Sequence, residues 1–236
     1  MRILHEDDNI KISIIERDLP SVTLCFSGAA ANDQGVDIVG EEFIRASLTA
    51  TAIFIVDKKI SWANNIDFEL LKNTIAPYIQ NKIVNAIGNS MGGYTAILSS
   101  KYITLSTVVA FVPQYSINKK VMPGESRWNC FEKDITNWRI ESVEGHFMSN
   151  TLYYILAGST GGDRAHLEKM PTTNNIKKIY FKGIFYDHNI APVLKNHNIL
   201  YNVIGDCFAH LAPNTIIQKT LSNPAYSAYS PADNTV

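Results

Sequence analysis

Several things that would narrow the function of this chain are scarce in it. Its three cysteines, Cys25, Cys130 and Cys207, are far apart and form no C-x-x-C pair, so neither a disulfide framework nor a zinc site is suggested. Charge of one sign is also lacking: 21 basic residues stand against 22 acidic ones, for a net charge of -1, which gives no electrostatic pull toward nucleic acid or an anionic membrane. No apolar run approaches the roughly 20 residues needed to span a bilayer. The start, Met1 to Asp8, turns acidic after four residues and lacks the apolar stretch of a secretory signal, so a cytoplasmic protein is expected. Histidines and carboxylates nowhere adopt a spacing such as H-E-x-x-H, and neither a metal nor another cofactor is implied.

What remains is an ordinary globular composition, 46% hydrophobic and 18% charged over 236 residues, enough for one sizeable core. Short β-branched or apolar runs predict strands at Ile10–Ile15, Val22–Phe26, Thr51–Val56, Lys82–Ile87, Ser106–Val112, Thr151–Ala157 and Lys178–Phe185. The last five are nearly continuous in apolar character, as in parallel strands covered on both faces, whereas the first two suggest an antiparallel edge. Helices are expected at Glu41–Ala50, at Asp67–Ile79 with Asp67 as N-cap, at Met91–Lys101 and at Asp163–Met170. Alternation of this kind predicts a doubly wound, mostly parallel α/β sheet in a single domain over residues 1–222. Residues 114–150, with Pro123, Gly124, Trp128 and Trp138, break the rhythm. They read as a small cap or lid, or else as a packed excursion over the sheet edge. Residues 223–236 read as a flexible tail.

The sharpest signal is Gly88-Asn89-Ser90-Met91-Gly92, followed by Gly93. An apolar strand leads into it and Tyr94 to Leu98 leads out as a helix. That is the setting which holds a serine on a strained elbow, with glycines allowing close backbone packing and a helix N-terminus favouring negative charge. Ser90 is therefore the candidate nucleophile, against the alternative of a structural serine in a glycine-rich turn. Neither G-x-G-x-x-G nor a Walker lysine is present, which disfavours a nucleotide site.

With these residues the chain resembles the α/β-hydrolase superfamily from about Val22 to about Gly205. That resemblance implies an acid and then a histidine downstream of the nucleophile. The acid belongs after the strand Thr151–Ala157, where Gly158 to Gly162 lead to Asp163; a helix N-cap is its other reading. The histidine belongs after the last long strand, which points to His188, with Asp187 a weak rival acid because a neighbour in sequence points away from the ring. His210 is the second choice of base. His166, three residues after Asp163, is expected on a surface or helix face, with a place behind the acid as its other reading, and His5, His146 and His197 fit no scheme. The resemblance also implies an oxyanion hole from the Met91 N–H and a second N–H in Phe26-Ser27-Gly28-Ala29-Ala30, from Gly28 or Ala29. Trp62, Asn64 and Asn65, after a central strand, could line a hydroxylated substrate, or could form a packed loop with an Asx turn.

Three functions fit this reading. The first is ester hydrolysis through an acyl-enzyme on Ser90, acting on a small-molecule or glycan-like acyl ester. The second is acyl transfer by the same residues. The third is a catalytically silent binding module of the same fold.

Overall fold

A computed structural model describes residues 1–29, 40–159, 161–181 and 187–223. The strands are β1 (Arg2–Glu6), β2 (Ile10–Ile15), β3 (Ser21–Phe26), β4 (Thr51–Asp57), β5 (Ile83–Asn89), β6 (Thr107–Phe111), β7 (Leu152–Gly158) and β8 (Ile176–Phe181). They form one sheet in the order β1-β2-β4-β3-β5-β6-β7-β8. β2 runs antiparallel to β1 and β4, and every later pairing is parallel. The chain thus crosses over repeatedly and brings the carboxyl ends of β3 to β8 to one rim, with Phe26 beside Gly88 and Asn89 beside Phe111.

The helices are α1 (Phe68–Ile79), α2 (Met91–Ser99), α3 (Asn129–Glu132), α4 (Gly162–Lys169), α5 (Ile190–Asn196), α6 (Leu200–Phe208) and α7 (Pro213–Leu221). Asp67 caps α1 by accepting the N–H groups of Glu69 and Leu70. α2 is buried along its whole length and packs on β3, β5 and β6, and β4 and β6 are buried throughout. Those continuous apolar runs therefore lie in a covered sheet, as their composition required. Among the described residues no helix is long and apolar enough to cross a membrane.

Three expectations are corrected. Val22–Phe26 is no antiparallel edge: β3 lies in parallel between β4 and β5, and its Thr23 is buried although polar. The antiparallel edge is β1, a strand with no apolar run to announce it. In place of a helix at Glu41–Ala50 there is one 3-10 stretch, Ile44–Leu48. Phe43 enters it with φ 58°, and the Glu41 and Glu42 side chains reach away to Ser13 and Gly28, so no first helical turn forms. The strand Lys178–Phe185 begins earlier, at Ile176, and residues 182–185 lie outside the described part, as does the tail beyond Asn223.

The 113–151 connection contains one short helix, α3, but is not loose. Ile117, Met122, Ile135, Ile140 and Val143 join the hydrophobic core, and Gln114, Ser116, Asn118 and Glu125 are buried with them.

Candidate active site

Ser90 sits between β5 and α2 with φ 55° and ψ −121°, a conformation that an L-residue adopts only under constraint. Its N–H donates to the Phe111 carbonyl at 2.8 Å, locking the turn to β6. Both flanking glycines are needed for the elbow to close. A Cβ on Gly88 would lie 2.2 Å from the Gly92 backbone, and one on Gly92 would lie 2.2 Å from the Phe26 carbonyl oxygen.

At the same rim, Ser90 Oγ is 2.7 Å from His188 Nε2, and His188 Nδ1 is 3.0 and 3.1 Å from the two carboxylate oxygens of Asp163. His188 lies in a 3-10 turn just before α5, and Asp163 lies in the first turn of α4. Gly161 (φ 79°), not Asp163, holds the N-cap position, which leaves the Asp163 carboxylate to face His188. The three residues chosen by chain order are thus brought into one hydrogen-bonded line. The Asp187 side chain lies outside the described part.

Other residues join this line, of which only His166 has an alternative reading that places it there. Gln114 Nε2 donates to Ser90 Oγ at 3.2 Å, while Gln114 Oε1 accepts the indole N–H of Trp62 at 3.0 Å. The indole fixes which end of the amide faces the serine. Arg127 Nη1 donates to Asp163 Oδ1 at 2.8 Å, and Arg127 Nε and Nη2 grip both oxygens of Glu125 at 2.7 to 3.1 Å. Behind that pair, His166 Nδ1 accepts the Tyr115 N–H at 3.0 Å, so Nε2 carries the proton that it donates to Glu125 at 2.7 Å. Trp128 packs on His188 with ring centroids 4.8 Å apart. No motif marks these residues, since Glu125 and Arg127 stand in an irregular segment and meet Asp163 only in three dimensions. The aromatic content of that segment was the one signal available.

Burial works against the Asp163 carboxylate, yet the His188 hydrogen bond and the charges of His188 and Arg127 outweigh it and hold its pKa below the usual range. Glu125 behaves alike: burial opposes ionisation, and hydrogen bonds from His166 and Arg127 pull its pKa well down. The Arg127 pKa is raised, its burial being more than offset by the two carboxylates.

The expected oxyanion donors lie close by in unequal states. No acceptor among the described residues meets the Met91 or Ala29 N–H. The Gly28 N–H, by contrast, donates to Glu42 Oε1 at 3.2 Å, while Gly28 itself packs against the Asn89 carbonyl.

The proposed Trp62–Asn64–Asn65 wall is corrected. Trp62 is fully buried, and Asn64 is buried with Oδ1 accepting the Ile140 N–H and Nδ2 donating to the Ser61 and Trp62 carbonyls. Only Asn65 is exposed. The loop is anchored from below by Asp57, which accepts from the N–H groups of Lys59, Ser61 and Ala63 and from the Ser61 hydroxyl. His166 is likewise buried, not on the surface. His210 bonds Thr107 at 2.9 Å, a residue at the amino end of β6, away from the elbow. A cavity of about 650 Å³ opens beside the elbow, bordered by Asn89, Glu42, Arg45, Pro192, Lys195 and Tyr201.

The fold is that of the α/β-hydrolases. No family model matches the sequence, and no curated protein is similar to it in sequence. Among solved structures, the capsule O-acetyltransferase of Neisseria meningitidis serogroup A is similar with a TM-score of 0.60 and 14% identity, covering 84% of this chain and 92% of that one. FphF, a fluorophosphonate-binding serine hydrolase of Staphylococcus aureus, gives a TM-score of 0.51 and 12% identity over 84% of this chain and 95% of its own. Alpha/beta hydrolase domain-containing protein 10 from mouse gives 0.51 and 12%, over 89% and 98%.

Proposed function

We propose that the protein is a serine enzyme that forms an acyl-enzyme on Ser90 and hydrolyses carboxylic esters. The observation that carries this reading is the unbroken line from Ser90 Oγ through His188 to Asp163. Ser90 attacks the ester carbonyl while His188 Nε2 takes its proton, and Asp163 fixes the ring and offsets the imidazolium charge. The oxyanion is received by the N–H groups of Met91 and Ala29, each worth on the order of 3 kcal/mol in the transition state. Gly28 is a third donor only if Glu42 withdraws. His188 then protonates the departing alcohol, and water, activated by the same ring, releases the acid. The substrate in this reading is a small-molecule or glycan-like acyl ester, supported by the cavity that Asn89 borders next to Ser90 in the chain, and the three free cysteines suit a reducing, cytoplasmic setting.

A second reading replaces water with an acceptor hydroxyl. It is favoured by the similarity to an O-acetyltransferase, a variant of which has been solved in complex with CoA. The test is intact-protein mass after a fluorophosphonate probe, with Ser90→Ala and His188→Ala alongside. One adduct on the native chain and none on either variant supports the mechanism; an adduct that survives Ser90→Ala refutes it. Product analysis with acetyl-CoA and a hydroxylated acceptor then separates transfer from hydrolysis.

A further inference from the structure

The connection between β6 and β7 reaches into the proposed site. Arg127 joins two carboxylates that are otherwise well apart in the chain, Glu125 and Asp163, and its guanidinium lies on α4 so closely that a Cβ on Gly162 would come within 2.7 Å of Cζ. The same guanidinium stands 5.7 Å from the Trp128 ring, and Trp128 in turn packs on His188. Asp163 Oδ1 therefore serves two donors at once, Arg127 at 2.8 Å and His188 at 3.0 Å. Three groups of alternating charge, Glu125, Arg127 and Asp163, run in series up to His188.

We propose that Arg127 and Glu125 are positioning residues for the Ser90 reaction, with Arg127 clamping the Asp163 carboxylate toward His188 and the Glu125–Arg127 pair setting the pH above which His188 can act as a base. This rests on the reading of Ser90, His188 and Asp163 as the reacting set. The physical reason is electrostatic. A cation on Asp163 reduces the field that favours the imidazolium, and Glu125 partly cancels that cation, so the two residues act on His188 with opposite sign. Among the described residues Asp163 of α4 bonds His188 directly, and Arg127 and then Glu125 of the connection stand behind that carboxylate. His166 of α4 lies behind Glu125 as a neutral donor. A purely structural salt bridge would predict loss of stability from either variant, and no opposed shifts.

The test is the second-order rate of fluorophosphonate labelling of Ser90, measured from pH 5 to 9 on the full chain. Arg127→Gln moves the acid limb up by about one pH unit and slows labelling at pH 8 about tenfold; Glu125→Gln moves the limb down by about half a unit. Arg127→Lys keeps the charge but loses the two-pronged grip, so its limb stays near the native position while the rate falls. Gly162→Ala, which displaces the guanidinium, shifts the limb in the Arg127→Gln direction by less. Should Arg127→Gln fail to fold, the double variant Glu125→Gln/Arg127→Gln and Glu125→Gln alone carry the test, with thermal unfolding as a control. The double variant then places its limb above the native position and above that of Glu125→Gln. Limbs that coincide with the native one while Ser90 remains labelled overturn this inference alone. A native protein not labelled on Ser90 at any pH overturns the reading of the site and this inference with it.

Discussion

At the carboxyl rim of the central strands, Ile60, Trp62, Ala63, Ser90 and Val112 all have positive φ, while residues 1–20, which form the antiparallel edge, contain none. The rim also buries Asp57, Gln114, Glu125, Asp163 and His166, each hydrogen-bonded. Charges on the edge instead pair at the surface, as Arg2 does with Glu16 at 3.1 Å and Lys58 with Glu6 at 3.0 Å. Positive φ at a β-branched residue such as Ile60 or Val112 costs on the order of 1–3 kcal/mol, so the rim persists only because its neighbours over-determine it. The Asp57 carboxylate does this for the Ile60–Ala63 loop, and that loop delivers Trp62 to Gln114 and Gln114 to Ser90. Strain is concentrated where Ser90 is held, and the edge that only closes the sheet is relaxed.

The largest effect is expected at the elbow glycines. Gly88→Ala, with its added carbon 2.2 Å from backbone atoms that cannot move aside, is expected to lower stability by more than about 3 kcal/mol in urea unfolding and to abolish labelling. Trp62→Phe comes next. It leaves Gln114 Oε1 buried without its donor, and a loss of about 1–3 kcal/mol together with a several-fold slower reaction of Ser90 is expected.

Ser90→Gly sharpens the contrast from the other side. It removes the proposed nucleophile and relieves the φ 55° strain, so a protein that takes no fluorophosphonate label and is more stable by about 1 kcal/mol is expected; equal or lower stability would show that the elbow is not strained. In acid the rim should respond through two opposed sets. The lowered pKa values of Asp163 and Glu125 mean that their contribution is complete above about pH 4, the unfolded value, and is lost as pH falls through their folded values. Burial raises those of Glu42 and Asp57, whose contribution has the reverse sign, so Glu125→Gln should flatten the acid branch of a stability–pH curve. At the edge, Ile3→Thr on the exposed face of β1 is expected to change stability by less than about 0.5 kcal/mol and labelling not at all.

Local pattern made much of this protein legible. Buried strands are continuous apolar runs, α1 carries its own cap, and the elbow is a contiguous pentapeptide in which Gly88 is dictated by clearance from Gly92 four residues on, while Gly92 answers to the distant Phe26 carbonyl. Asp163 and His188 were legible because each follows a strand in a known order. Less could be read where a residue's environment is supplied from afar. β3 looked like an edge because its polar Thr23 imitates alternation, and only the pairing on both sides buries it. Trp62 and Asn64 looked like a substrate wall because tryptophan and asparagine suit one, and the folded connection covers them.

Sequence alone thus determined the strand-and-helix alternation, the serine elbow and the order of the residues that face it, since each is marked by spacing or propensity along a short stretch of chain. Tertiary structure alone decided that Gln114 meets Ser90, that His166 is buried, that Glu42 occupies the Gly28 N–H and that Arg127 bridges Glu125 and Asp163. Those contacts join segments up to 51 residues apart, as between Tyr115 and His166, and the desolvation and charge that give them their effect exist only once the chain has closed around them.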